Sequence, residues 1–233
     1  MKSINDICFV VQSRLNSERL PKKMIKPFNN TTLLDIALQK LVAATSIPNN
    51  QVYLSVHEDE LISIGSKYPI NIFKRSYESA NCDNGISTLF EWWNRLPYKY
   101  VILISACNPL LRVDTINQFV NAYLENDFGG MFGVVEKHNY FWDSIGNMLN
   151  VWPEGQDLLN TKAVAPTYEA AHCLYASKMD SIGKGRWVGT WTEKNDPALF
   201  TVHAIEAFDI DFEWQFAVAE QLHRLDSAQS LIS

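Results

Sequence analysis

Four short apolar runs, each leading into a helix-patterned segment, fill the first half of this chain. Ile7–Gln12 reads as a buried strand, and residues 51–56, 70–73 and 100–104 repeat the pattern. Thr32 and Asp35 open a helix with a capping-box-like pair, and Leu34, Ala37, Leu38 and Leu41 form its apolar stripe. Residues 58–67 read as a short helix. Another follows Asn84-Gly85 through Leu89 and Trp92. In residues 114–125 the apolar positions are Ile116, Phe119, Val120 and Tyr123. Strand-helix alternation of this kind implies an α/β fold, a mostly parallel sheet covered by helices. At 233 residues the chain suits a single domain spanning 1–233.

The rhythm changes after Gly129-Gly130. Residues 131–135 read as a strand, and 140–152 carry Gly146-Asn147 between apolar residues, a hairpin signal. Residues 158–167 are irregular, and 171–175 and 200–205 are candidate late strands. A helix closes the chain from 212 to about 224, with Phe212, Phe216, Ala219 and Leu222 on one stripe. Residues 138–170 read as an excursion from the core. Phe141, Trp142, Val151 and Trp152 there are too many apolar groups for a solvated loop, so a homodimer is expected.

The formal net charge of -6 argues against a nucleic-acid polymer as partner, because such binding needs a broad basic face. A nucleotide needs only a local cluster. No apolar run approaches the ~20 residues of a membrane span, and the start lacks a secretory pattern, so a cytoplasmic protein is the expectation. Cys8, Cys82, Cys107 and Cys173 are dispersed and read as reduced thiols rather than a zinc site. The five histidines show no metal-ligand spacing and read as surface or packing residues. Trp142, Trp152, Trp187 and Trp191 read as core or interface aromatics, with sugar stacking the rarer use. Gly183-Lys184-Gly185-Arg186 lacks P-loop spacing and reads as a turn.

Two segments carry chemistry. The first strand runs into a loop bearing Arg14, Arg19, Lys22 and Lys23. Open sheets bind ligands outside the carboxyl ends of their strands, and clustered cations with backbone N–H groups hold phosphate oxygens there. A solvated basic loop is the plainer alternative. Late in the chain, Asp209 and Asp211 stand at i and i+2, so an extended segment points both to one side. Two anions so placed repel unless a cation lies between them, and Mg²⁺ takes such oxygen ligands. The alternative is a helix start, with Asp211 as cap and Asp209 solvated.

The order Gln12-x-Arg14-x-x-Ser17-x-Arg19-Leu20-Pro21-x-Lys23 resembles the signature loop of the cytidylyltransferases that activate acidic sugars, the acylneuraminate, Kdo and spore-coat polysaccharide enzymes. Arg75, Glu78 and Ala80 resemble that family's Arg-Pro-x-Glu-Leu-Ala segment, and Asp209-Ile210-Asp211 its late Asp-Ile-Asp before a helix carrying Ala219-Glu220. The resemblance implies a nucleotide-diphospho-sugar transferase-like Rossmann-type sandwich, with residues 138–170 as a protruding dimerisation segment. It implies transfer of CMP from CTP to the anomeric hydroxyl of an acidic sugar, with release of pyrophosphate, for surface glycan synthesis. Arg14, Ser17, Arg19 and Lys23 would hold the triphosphate, and Arg75, Ala80 and Asn81 the nucleoside. Asp209 and Asp211 would hold Mg²⁺. Catalysis would fall to Arg14, Lys23 and Asp211.

The match departs in places. Ser105-Ala106-Cys107-Asn108-Pro109-Leu110 stands where the family reads Gln-Pro-Thr-Ser-Pro-Leu, and only Pro109 and Leu110 agree. Ala171-His172-Cys173-Leu174-Tyr175 stands where sialate enzymes read Asn-Gly-x-x-Tyr, and only Tyr175 agrees. Ser105, Asn108 and Tyr175 are the sugar-binding candidates. Glu18 replaces a cation. These departures leave open a non-catalytic nucleotide-binding module, or another nucleotide-sugar enzyme such as a glycosyltransferase with an Asp-x-Asp metal site.

Overall fold

The structure is a computed structural model describing residues 2–82, 84–125 and 127–229. Strand β1 is Ile7–Gln12, buried from Ile7 through Val11. Helix α1, Leu33–Ala43, starts as its capping pair predicts: the Asp35 amide donates to Thr32 Oγ1 at 3.1 Å. All four residues of its expected stripe are buried. Then come β2 (Val52–Val56), α2 (Asp59–Gly65), β3 (Asn71–Lys74), α3 (Tyr77–Ala80) and α4 (Ile86–Leu89). A 3₁₀ turn, Glu91–Asn94, replaces the expected continuation of α4 through Trp92. Strand β4 is Tyr100–Ile104, and α5, Val113–Glu125, buries its four expected apolar positions.

The second half supplies β5 (Met131–Lys137), β6 (Thr167–Lys178), α6 (Met179–Gly183), β7 (Ala198–Thr201) and α7 (Glu213–Gln229). The strands form a seven-stranded sheet in the order β3-β2-β1-β4-β6-β5-β7. β1 pairs parallel with β2 and β4, and β2 pairs parallel with β3. β6 runs antiparallel to both its neighbours, β4 and β5, while β5 and β7 are parallel. The mostly parallel, helix-covered sheet is thus present, with one reversed strand in it. Of the turn sequence at residues 183–186, Gly183 ends α6 and Lys184 and Gly185 form the turn after it.

Two late elements differ from expectation. β6 extends well beyond residues 171–175 because it pairs on both edges, and that double ladder outweighs its polar exposed face. β7 ends at Thr201, where 200–205 was expected to continue, and the chain then turns through residues 204–207. Residues 138–166 lie between the paired Lys137 and Thr167, and the hairpin signal there becomes an isolated Trp142–Met148 bridge. Phe212 is exposed rather than on the buried stripe of α7, which Phe216 and Ala219 form. Cys8 and Cys173 are buried, and all four cysteines are free thiols. Among the described residues no helix is long and apolar enough to cross a membrane.

Candidate active site

β1 delivers its last residue, Gln12, to the carboxyl edge of the sheet, where the following loop folds back on itself. The Ser17 and Lys22 amides both donate to the Leu15 carbonyl at 2.9 Å, and the Leu15 amide donates to Glu58 Oε1 at 2.8 Å. This pinning turns Arg14, Ser17, Arg19 and Lys23 into one cavity of about 550 Å³. Asp211, nearly two hundred residues away in sequence, lines the same cavity.

Lys23 is 7% exposed, and its ammonium donates to the Ile210 carbonyl and lies 3.3 Å from Asp211 Oδ1. Arg19 Nη1 lies 2.8 Å from Asp211 Oδ2, with its guanidinium over the Phe212 ring. The cap at the start of α7 is made by Gln215, whose Oε1 accepts from the Asp211 and Phe212 amides, both at 2.8 Å. The Asp211 carboxylate is therefore turned to the cations instead of serving as the helix cap. The Asp211–Arg19 and Asp211–Lys23 pairs join the loop after β1 to the segment before α7.

Asp209 meets a different environment. Its Oδ1 is buried without a hydrogen-bond partner. Burial pushes its pKa above the ordinary carboxylate range, Asp211 pushes it further, and Lys23, His172 and Arg19 oppose them. An unpartnered buried carboxylate oxygen beside a second carboxylate is a donor set for a hard cation. The two residues fit Mg²⁺ on that chemistry. Among the described residues no cluster of three or more His, Cys, Asp or Glu forms a ready cation cage. Such an ion would draw its remaining ligands from phosphate and water, the usual habit of Mg²⁺.

A smaller space of about 310 Å³ opens beside the first, lined by Gln12, Ser13, Arg14, Arg75 and Cys82 among others. Arg75 Nη2 donates to the Ser13 carbonyl at 3.0 Å, while its Nε and Nη1 are buried without partners. Burial pulls its pKa down to about 10; Arg14 adds to the shift, and Glu58 and Glu91 work against it. Donors left in this way face a ligand acceptor or cost stability. Ala80 is buried in α3, and Asn81 donates through Nδ2 to the Tyr77 carbonyl at its end. Neither lines this space.

The third cavity, about 820 Å³, has aromatic walls from Phe90, Phe132, Tyr175, Trp187 and Trp191. Ser105, His172 and Asp209 are among its polar groups. Gln12 and Cys107 line both this cavity and the one holding Arg19 and Lys23, so the two adjoin. His172, Val188 and Trp191 line it with φ of 52°, 67° and 61°. Left-handed backbone at non-glycine residues costs energy and gathers at functional sites.

Of the sugar-binding candidates, the structure brings Ser105 and Tyr175 to this cavity and not Asn108. Asn108 is 2% exposed, with both amide atoms buried and unpartnered. Ser105 Oγ also accepts from the Cys107 amide at 3.1 Å. Trp187 and Trp191 stand in the cavity wall, whereas Trp142 and Trp152 are exposed on residues 138–166. Sequence reasoning missed Ser13, read His172 as a surface or packing residue and gave Gln12 no role of its own. Gln12 is the one polar residue closing an apolar run. Its Oε1 accepts from Ser55 Oγ and Trp92 Nε1, and its Nε2 donates to the Leu89 carbonyl, which holds it at the junction.

Residues 8–227 match the family model for cytidylyltransferases. The chain is 22% identical over 222 residues to N-acylneuraminate cytidylyltransferase B of Danio rerio, covering 91% of this chain and 50% of that protein. It is 27% identical over 124 residues to the spore coat polysaccharide biosynthesis protein SpsF of Bacillus subtilis (strain 168), covering 52% and 47% respectively. The chain thus spans about half the length of these curated relatives. A CMP:2-keto-3-deoxy-manno-octonic acid synthetase complexed with CTP shares its fold, with a TM-score of 0.66 at 12% identity over 96% of this chain and 99% of that one. So does a 4-diphosphocytidyl-2C-methyl-D-erythritol synthase from Anaerococcus prevotii DSM 20548, with a TM-score of 0.63 at 14% identity over 95% and 98%. Because the family model spans residues 8–227, nearly the whole chain, the chain belongs to the cytidylyltransferase family.

Proposed function

We propose that this chain transfers CMP from CTP to the anomeric hydroxyl of an acidic sugar. The hydroxyl oxygen bonds to the α-phosphorus and gives up its proton to solvent, the bond from that phosphorus to the bridging oxygen breaks, and pyrophosphate leaves with the electron pair. The carrying observation is that Arg14, Ser17, Arg19, Lys23 and Asp211 line one cavity, and that this cavity adjoins an aromatic one with Asp209 in its wall.

Phosphoryl transfer needs positioning and charge neutralisation more than covalent help. Arg14, Arg19 and Lys23 hold triphosphate oxygens, and Ser17 adds a hydroxyl. Lys23 is the most fixed of these cations, because Ile210 and Asp211 hold its ammonium from one side. Arg75 offers its unpartnered donors to the nucleoside, with Ala80 and Asn81 shaping the loop behind it. Ser105 and Tyr175 face the acceptor. Asp209 and Asp211 would hold Mg²⁺, which when bound supplies positive charge at the phosphate oxygens.

We further propose that the protein acts in the cytoplasm as a homodimer, joined through the expected segment 138–170 up to residue 166, since residues 167–170 are the start of β6. Ile145, Leu149, Val151 and Leu158 are exposed on that segment, an apolar surface a monomer would leave in water.

The test is pyrophosphate release with CTP, ATP, GTP or UTP against sugar acids and neutral sugars. Release is expected with CTP and a sugar acid together. Absence of release with CTP and every acid, or equal release with neutral sugars, would overturn the reading.

A further inference from the structure

The aromatic cavity has a problem of charge. Among its described lining residues there is no Lys or Arg, and Asp209 adds a carboxyl group. Burial raises the pKa of both the Cys107 thiol and the Tyr175 hydroxyl, keeping them neutral. A carboxylate entering this space needs a donor; Asn84 and His172 are exposed donors in the lining, and His172 is the one held in strained backbone against the aromatic wall.

The backbone delivers His172 there by a local irregularity. β5 and β6 pair in register at Phe132–Tyr175 and again at Val134–Ala170, so the pairing shifts between them. Ala171 to Leu174 bulge opposite Gly133, and His172 takes its φ of 52° within that bulge. Bulges re-aim side chains beside binding sites. A left-handed backbone favours glycine. A histidine accepts that strain only where its side chain is held.

The imidazole is held twice. Nδ1 lies 3.2 Å from the Tyr175 hydroxyl, and the ring meets Phe132 edge-on with centroids 6.0 Å apart. Burial first, and Asp209 second, keep the Tyr175 hydroxyl protonated. With the hydroxyl donating to Nδ1, the imidazole proton sits on Nε2 and is free to donate into the cavity.

We propose that His172 is the acceptor-recognition residue of this chain, its Nε2–H donating to the carboxylate of a sugar acid whose apolar face lies on the aromatic wall. The inference rests on the acidic-acceptor reading above. It adds the residue that reads the acceptor's carboxylate.

Saturation-transfer NMR in the presence of CMP measures acceptor binding without turnover. The probes are N-acetylneuraminic acid, a 3-deoxy-octulosonic acid and the methyl ester of each. Wild type should prefer acid over ester by about tenfold or more, as a charge-assisted bond implies. His172→Ala should bring the ratio near unity, and His172→Gln, which keeps a donor, should retain part of it. His172→Gly should lose the preference yet melt no lower than wild type, because glycine suits the backbone there. A folded His172→Ala variant that keeps the acid preference would overturn the proposal. So would a His172→Gly variant that melts lower and keeps it, since His172 would then be structural. If wild type binds CTP by calorimetry but none of the sugar acids, the acidic-acceptor reading falls, and this inference with it.

Discussion

Asp209 and Asp211 stand two residues apart and do opposite things for the fold. Asp211 is paired with Arg19 and Lys23, while Asp209 is largely buried with one oxygen unpartnered. The raised pKa of Asp209 means that the folded state holds its proton more tightly than the unfolded chain does. Above that pKa its buried charge therefore opposes folding. Asp209→Asn removes the charge and keeps the size, so the variant should melt higher than wild type while turnover falls. Calorimetric melting beside a pyrophosphate assay checks both. Lys23→Ala should weaken CTP binding or turnover by about tenfold or more, the loss of one charge-assisted phosphate bond, and titration calorimetry with CTP reads it. The spacing of the two carboxylates was legible in the sequence. That one is capped by cations and the other is orphaned was not, because the difference arises from which cavity wall each side chain meets.

At the scale of elements, the first half of the chain was legible because periodicity and burial agree there. The stripe of α1 and the apolar positions of α5 are buried as their spacing predicts. The second half was less so. β6 exposes Tyr168, Glu169, His172 and Lys178, which interrupt its apolar pattern, and it extends as far as it does because β4 and β5 flank it, a non-local cause. The cap of α7 likewise comes from Gln215 reaching back rather than from Asp211. Gly130, seen in the sequence as a break in rhythm, has a structural reason: a Cβ there would overlap the Val188 carbonyl. Val188 is itself held at a φ of 67° in the aromatic cavity wall. Gly130→Ala should therefore displace that wall, costing about 1–3 kcal/mol as overpacking does. Denaturant unfolding measures the loss, and acceptor affinity should fall with it.

For the molecule as a whole, the sheet order places the basic loop, the Arg75 space and the aromatic cavity side by side, and Gln12 lines all three. The exposed apolar residues of 138–166 stand on a segment that returns to the sheet at β6, whose bulge carries His172. Sedimentation at micromolar concentration should find a dimer, and Val151→Asp with Leu149→Asp should shift it to monomer; a monomeric wild type would contradict the dimer. The central claim, that these cavities together move CMP from CTP to a sugar acid, is tested most directly by single-turnover transfer of α-labelled CTP. The measurement compares wild type, Asp209→Asn and Asp211→Asn across a Mg²⁺ titration. The account predicts sugar-linked CMP from wild type with an equal yield of pyrophosphate, and rates lower by about 10²-fold in either variant. No sugar-linked label with any acid, or wild-type rates in both variants at every Mg²⁺ concentration, would contradict it.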